Sequence, residues 1–368
     1  MKKIYSSFIQ MKGLLWKRWY DNILCWMDNS TDKEWWGKKL LPPVGATLDL
    51  TNACNLRCNF CNAAHYRNKK FISFERAIKI IKMLDNWGVK SICFAGGGEP
   101  TLHPKFIDIL EFTGENTNME IGISTNGTYI DSIVFHISSA INKHARFCGF
   151  SIDSATFKTW KRIKKGTEEM HFRLLHNAFY LNDLAKYSKL DTTFKFMICP
   201  ENQHEIYKAA KLAKSLDFKN FYVRCAAIEN VPIFKGKENK IKFDVKSILK
   251  QIKKAESLED ENFKVYASFN RVNKEFKRCL KFKKCLATPI IAMICADGNA
   301  YACIDKRMDS DYKLCKAENL PKFWGSKKHK KKIEWINKNL DKCPRCAFSN
   351  YNQQIEAYSQ DYMFWKFP

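Results

Sequence analysis

Three cysteines stand within eight residues in Cys54-Asn-Leu-Arg-Cys58-Asn-Phe-Cys61, just after an apolar, strand-like run from Ala46 to Leu50. Three thiolates this close can hold three corners of a four-iron, four-sulfur cube, and no fourth cysteine stands beside them. One iron then keeps an open coordination position, where a substrate or cofactor can bind. Structural clusters and zinc sites normally close all four positions, so an incomplete set points to chemistry. A zinc knuckle completed by a distant ligand such as His65 is the competing use of the same thiols.

Two further groups of residues carry chemistry. Gly96-Gly97-Gly98-Glu99-Pro100 follows a second apolar run. Its glycines let the backbone come close to a ligand, and its glutamate can accept a hydrogen bond from an ammonium group. Near the C-terminus, Cys285 is followed by Gly298-Asn-Ala-Tyr-Ala-Cys303 and then by Cys343-Pro-Arg-Cys346. Pro289–Ala296 and Asn299–Ile304 read as a hairpin turning at Asp297-Gly298, a strong turn dipeptide. A hairpin brings distant cysteines together, and a two-residue spacer lets adjacent thiolates grip one centre; zinc competes with a cluster here as well. Cys279, Cys295 and Cys315 fall outside the spacing, and Cys25, Cys93, Cys148, Cys199 and Cys225 lie in apolar stretches as buried thiols.

The elements that must position these groups alternate from residue 45 to about 230. Strand-like runs at Ala46–Leu50, Ser91–Phe94, Glu120–Ser124, Phe147–Ile152, Thr193–Ile198 and Asn220–Val223 are interleaved with helix-period segments. These helices are Phe74–Trp87, with Ser73 as N-cap, then Lys105–Phe112, Asp131–Asn142, His171–Lys189 and Glu205–Leu216. The alternation predicts an α/β fold whose parallel strands are joined by right-handed crossovers and can curl into a barrel. Active sites of such barrels lie at the C-terminal ends of the strands, and the loop of Cys54, Cys58 and Cys61 is at that end. Four segments are expected. Residues 1–44 form a Trp-rich basic helical segment, and 45–230 the barrel. Residues 231–278 form a helical connector, and 279–368 a hairpin-and-helix domain with a C-terminal helix. The run Lys327–Lys332 reads as a solvated face.

Composition narrows the partners. The chain has 368 residues, a formal net charge of +25 and 15 cysteines. No secretory signal or membrane-length apolar stretch is visible, so abundant cysteine favours metal ligation in a reducing cytoplasm over a disulfide scaffold. Only 12 of the 63 basic residues are arginine, which argues against nucleic acid as the substrate. The charge suits docking of an acidic electron donor such as flavodoxin or ferredoxin. Residues 9–28 can form a basic amphipathic helix, as a cap under the barrel or in contact with a membrane surface.

On its Cys-x3-Cys-x-aromatic-Cys motif, with Phe60 as the aromatic, and on the Gly-Gly-Glu element, the sequence resembles the radical S-adenosylmethionine (SAM) enzymes. The resemblance implies a partial (β/α)6 TIM-like barrel and a 4Fe–4S cluster on Cys54, Cys58 and Cys61. It implies that Gly97, Gly98 and Glu99 bind the amino group of SAM, and that Asn126 and Ser151 line the SAM pocket. Arg224 is placed to pair with a carboxylate of SAM or substrate. The C-terminal cysteines resemble the shortened SPASM ("twitch") domain, which implies an auxiliary 4Fe–4S cluster on Cys285, Cys303, Cys343 and Cys346. The implied reaction is reductive cleavage of SAM to a 5′-deoxyadenosyl radical that abstracts a hydrogen atom, the auxiliary cluster taking a second electron. Asp153 and Asp305 are the candidate bases. The expected substrate is a small polar metabolite such as a sugar or aminocyclitol, because no winged-helix-sized peptide-recognition module is visible before the barrel. The alternatives are a ribosomally made peptide and a non-catalytic iron–sulfur or zinc scaffold that binds nucleic acid.

Overall fold

In the computed structural model, residues 40–130, 136–226, 241–269, 272–344 and 346–358 are described. The expected basic helix over 9–28 lies outside them, as does the start of the helix expected from Asp131.

The apolar run before the cysteines forms β1 (Gly45–Asp49), buried along its whole length. Burial on both faces is what a central parallel strand requires, and it is why these strands read as continuous apolar runs. Next comes α1 (Phe74–Trp87), where the Ser73 side chain accepts a hydrogen bond from the Arg76 N–H. Gly88 ends the helix at φ 95°, a left-handed position that costs glycine nothing. Ala77, Ile80, Ile81 and Leu84 recur at helical spacing and turn inward.

Strand and helix then alternate through β2 (Ser91–Ala95), α2 (Phe106–Asn116), β3 (Glu120–Thr125), α3 (His136–His144) and β4 (Ala145–Ser151). The next elements are α4 (Phe157–Lys164), α5 (Glu168–Ala185), β5 (Asp191–Ile198), α6 (Ile206–Ser215) and β6 (Asn220–Cys225). The segment expected as a purely helical connector holds α7 (Val245–Glu256) and also a strand, β7 (Lys264–Ser268). Strand β7 pairs in parallel with β6, so the strand–helix alternation runs one unit beyond the six read from the sequence. Its five residues were hidden in a lysine- and glutamate-rich stretch, where packing on β6 outweighs composition.

The expected hairpin is present as β8 (Ile291–Ile294) and β9 (Asn299–Tyr301), with Met293 opposite Tyr301. It is followed by β10 (Lys313–Lys316). This hairpin does not stand apart from the barrel. Strand β8 pairs in parallel with β1, giving the order β10-β9-β8-β1-β2-β3-β4-β5-β6-β7 in one sheet. Arg76 of α1 clasps the turn, bonding the Gly298 carbonyl at 2.9 Å and Glu318 at 2.7 Å.

Two helices complete the chain, α8 (Lys327–Lys338) and α9 (Ser349–Tyr358). The lysine run in α8 is not solvated all round, because His329, Ile333 and Ile336 face inward. His329 Nδ1 accepts the Gly325 N–H at 3.1 Å, and burial lowers its pKa to about 4. Among the described residues, no helix is long and apolar enough to cross a membrane.

Candidate active site

The loop after β1 is held by backbone bonds to α4. Arg57 N donates to Lys164 O at 3.0 Å, and Asn59 N to Ile163 O at 2.8 Å. This pins Cys54, Cys58 and Cys61 against a cavity of about 350 Å³ at the C-terminal ends of the strands. Asn126 Nδ2 approaches Cys54 Sγ at 3.9 Å and Arg67 Nη2 approaches Cys61 Sγ at 3.2 Å. Burial raises the pKa of Cys54 and pushes that of Cys58 up to about 12, so both stay protonated at neutral pH unless a metal takes the thiolate. Among the described residues, no three or more His, Cys, Asp and Glu are drawn together as around a single ion. What the three thiols share is the cavity, and a partly buried sulfur set with donors at its rim fits an iron–sulfur cluster.

The glycine segment closes on this loop from β2. Gly98 N donates to Thr51 O at 3.0 Å and Glu99 N to Ala53 O at 2.7 Å. A Cβ on Gly98 would lie 1.9 Å from the Ala53 carbonyl oxygen, so only glycine fits. Glu99 is buried and its Oε1 accepts from Thr101 Oγ1 at 2.8 Å and Thr125 Oγ1 at 2.7 Å. Its Oε2 accepts the Asn126 N–H at 2.6 Å and keeps acceptor capacity beside the cavity. Burial raises the Glu99 pKa, and these hydrogen bonds hold it back.

The remaining expected residues are placed as follows. Phe60, Asn126, Ser151, Asp153, Arg224 and Asp305 all line the same cavity. Asn126 also braces the cysteine loop, donating to Asn55 Oδ1 at 2.9 Å. Asp153 sits at φ 63°, a strained position for a residue with a Cβ. Its carboxylate is ion-paired with buried Lys164 and accepts the Met197 N–H at 2.6 Å. Burial is the largest single effect on the Lys164 ammonium and works against it, but the Asp153 charge and hydrogen bond, together with Cys58 and Cys54, hold that pKa above the lysine range. As a base, Asp153 would first have to leave this pair. Asp305 Oδ2 accepts the Ala347 N–H at 2.8 Å.

Four cations and one anion in this cavity region were missed in the sequence: Arg67, Lys164, Lys195, Arg307 and Asp49. The available signal was a charged residue inside an apolar strand, as at Asp49 and Lys195. Arg307 Nε meets Asp49 Oδ2 at 3.0 Å, and the same oxygen accepts the Gly97 N–H at 3.1 Å. This pair ties the hairpin side to the glycine segment. Replacing Arg307 by Met strands a buried carboxylate and is expected to cost about 3–5 kcal/mol in denaturant unfolding. Adding Asp49→Asn should recover most of that loss.

Among the described residues, the second set of thiols shares one region of the C-terminal module without being drawn together around one centre. Cys285 feels Cys303 and Cys343 electrostatically, and Cys303 feels Cys346 and Cys343. Burial is the main cause raising the pKa of Cys285, Cys303 and Cys343. Tyr312 OH lies 3.7 Å from Cys343 Sγ, and Asn352 Nδ2 lies 3.8 Å from Cys346 Sγ. Cys295 instead packs with Met293 and Tyr301, and Cys315 lies in β10 near Glu318.

Residues 48–213 match the family model described as the radical SAM superfamily. This chain carries a radical SAM domain. The GTP 3′,8-cyclase of Synechocystis sp. is 26% identical over 171 residues, covering 45% of this chain and 49% of that protein. The tungsten-containing aldehyde ferredoxin oxidoreductase cofactor-modifying protein of Pyrococcus furiosus is 35% identical over 85 residues, 23% of this chain and 24% of that one. The chain thus spans between a quarter and a half of the length of these relatives. Among solved structures, Streptococcus suis SuiB bound to precursor peptide SuiA has a TM-score of 0.62 at 15% identity, covering 84% of this chain and 69% of SuiB. Native anSMEcpe with bound AdoMet has a TM-score of 0.59 at 19% identity, covering 88% and 98%. Identities this low show a shared fold, the partial barrel of the radical SAM domain.

Proposed function

We propose that this radical SAM domain binds a 4Fe–4S cluster on Cys54, Cys58 and Cys61 and SAM beside it, and acts on a small polar metabolite such as a sugar or aminocyclitol. The observation that carries the reading is the shared cavity: three thiols and the Gly97-Gly98-Glu99 segment face one space at the strand ends. The cluster and SAM supply reductive cleavage of a sulfonium and hydrogen-atom abstraction from an unactivated carbon.

The chain's own residues do the positioning. Gly97 and Gly98 open the backbone to the ligand, and Glu99 Oε2 offers an acceptor to an ammonium. Asn126 and Ser151 add amide and hydroxyl groups, and Arg224 a cation for a carboxylate. Phe60 walls the cavity, with the Lys164 ammonium 5.0 Å from its ring centroid. Cys285, Cys303, Cys343 and Cys346 hold an auxiliary 4Fe–4S cluster, which makes two-electron oxidation such as alcohol dehydrogenation the natural outcome. The domain boundaries follow, with the barrel from residue 45 to 230, continued by β7, and the auxiliary-cluster module from 279 to 368. An acidic flavodoxin or ferredoxin fits the +25 charge as electron donor.

A peptide substrate is the second reading, favoured by the solved neighbours carrying peptides, SuiB with SuiA and anSMEcpe with Cp18Cys.

Anaerobic reconstitution with SAM and dithionite tests the reading and should yield 5′-deoxyadenosine, with about eight irons per chain. Label from a deuterated substrate should appear in the 5′-deoxyadenosine. No product from a fully loaded site would reject the enzyme, and about four irons with stoichiometric zinc would reject the auxiliary cluster.

A further inference from the structure

Lys195 is the unexplained charge in the cavity. It projects from β5 over Phe147, whose ring centroid lies 5.5 Å from Nζ, and donates to Ser124 Oγ on β3 at 2.7 Å. To reach β3 it crosses β4 at Gly149, where a Cβ would lie 2.2 Å from Lys195 Cε and 2.6 Å from Nζ. A glycine on β4 therefore makes the channel for this side chain. Among the described residues the ammonium has a neutral hydroxyl as its hydrogen-bond partner and forms no ion pair.

The nearby carboxylates are committed elsewhere. Asp153 holds Lys164, Asp49 holds Arg307, and Glu99 accepts bonds from Thr101, Thr125 and Asn126. The groups that act on Lys195 are Cys93 on β2, Cys148 on β4, Arg224 on β6 and Asp153. Burial, with the Arg224 charge added, lowers its pKa to about 8. A desolvated cation without a counter-ion is costly, and an arriving anion would remove that cost.

We propose that Lys195, together with Ser124, forms an oxyanion subsite in the cavity wall that takes the phosphate or carboxylate of an anionic substrate. The proposal rests on the reading of this cavity as a radical SAM active site. It narrows the polar metabolite to one that carries a negative group, with Arg224 on the neighbouring strand adding positive potential. SAM brings a carboxylate of the same chemistry, so the test must separate the two sources.

The test uses the full chain, reconstituted anaerobically and saturated with SAM, with inorganic phosphate as the probe. Phosphate is titrated at constant ionic strength while thermal unfolding is followed, because a ligand of the folded state raises the midpoint. Phosphate should raise the midpoint of the native chain. In Lys195→Met its affinity should fall about tenfold or more, while the affinity for SAM, titrated in parallel, changes less than about threefold. The unliganded midpoint of Lys195→Met should be equal or higher, since an uncompensated buried charge is gone. Gly149→Ala should also weaken phosphate binding, by displacing the lysine stem without removing its charge.

No phosphate effect on the native chain would overturn the proposal, as would equal binding to Lys195→Met. A parallel loss of SAM affinity would assign the subsite to the carboxylate of SAM and overturn it too. A lowered midpoint with unchanged binding would make Lys195 a packing residue. Phosphate binding needs no turnover, so a failure to form 5′-deoxyadenosine would sink the functional reading alone.

Discussion

Replacing Cys54, Cys58 and Cys61 together by Ala is expected to reduce 5′-deoxyadenosine formation to background and to lower the iron content from about eight to about four per chain. The loop itself should survive. Its backbone is tied to α4 through Arg57 and Asn59 and to the glycine segment through Ala53, and none of these bonds uses a thiol. The second set is braced independently, by Asn337 on the Cys285 N–H and by Tyr312 and Asn352 near Cys343 and Cys346. Electron paramagnetic resonance of the reduced protein should therefore keep one signal and lose the other. Product formation without these three thiols would refute the site.

Gly98→Ala should have the second large effect. The new Cβ would meet the Ala53 carbonyl oxygen at 1.9 Å, and both segments are held by backbone hydrogen bonds that cannot shift separately. Overpacking against backbone is expected to cost about 3 kcal/mol, and the cysteine loop is what must move. Iron at the first site should drop while the second remains, with a lowered unfolding midpoint. Gly97→Ala is the control. Its Cβ would meet the side chains of Asn52 and Tyr66, both at 2.7 Å, and side chains can turn away. A Gly98→Ala protein with native iron content and stability would contradict the geometry.

The ease of reading the fold from sequence varied with how local the signal was. Helix α1 was legible to the residue because Ser73 and Gly88 mark its two ends. The buried parallel strands declared themselves as apolar runs, correct to within two residues at each end. Helix α4 went unseen because four of its eight residues are Lys or Arg, although Phe157, Trp160 and Ile163 have helical spacing. Strand β7 is too short to stand out, and it exists because β6 offers it an edge. The cysteine motif and glycine segment are local and were visible. Their partners are not: Arg307 reaches Asp49 from the other end of the chain, and Lys195 meets Ser124 across β4. Only the folded sheet makes these neighbours.

The parallel pairing of β8 with β1 has a consequence for how the molecule is assembled. Strand β1 carries the cysteine loop at its end, yet one of its two flanks is completed by a strand from the last third of the chain. Until that strand is made, β1 presents a bare apolar border able to recruit a stray strand from another chain. The C-terminal module thus acts as a hem on the sheet, and a radical SAM barrel trimmed of it would be sticky as well as incomplete.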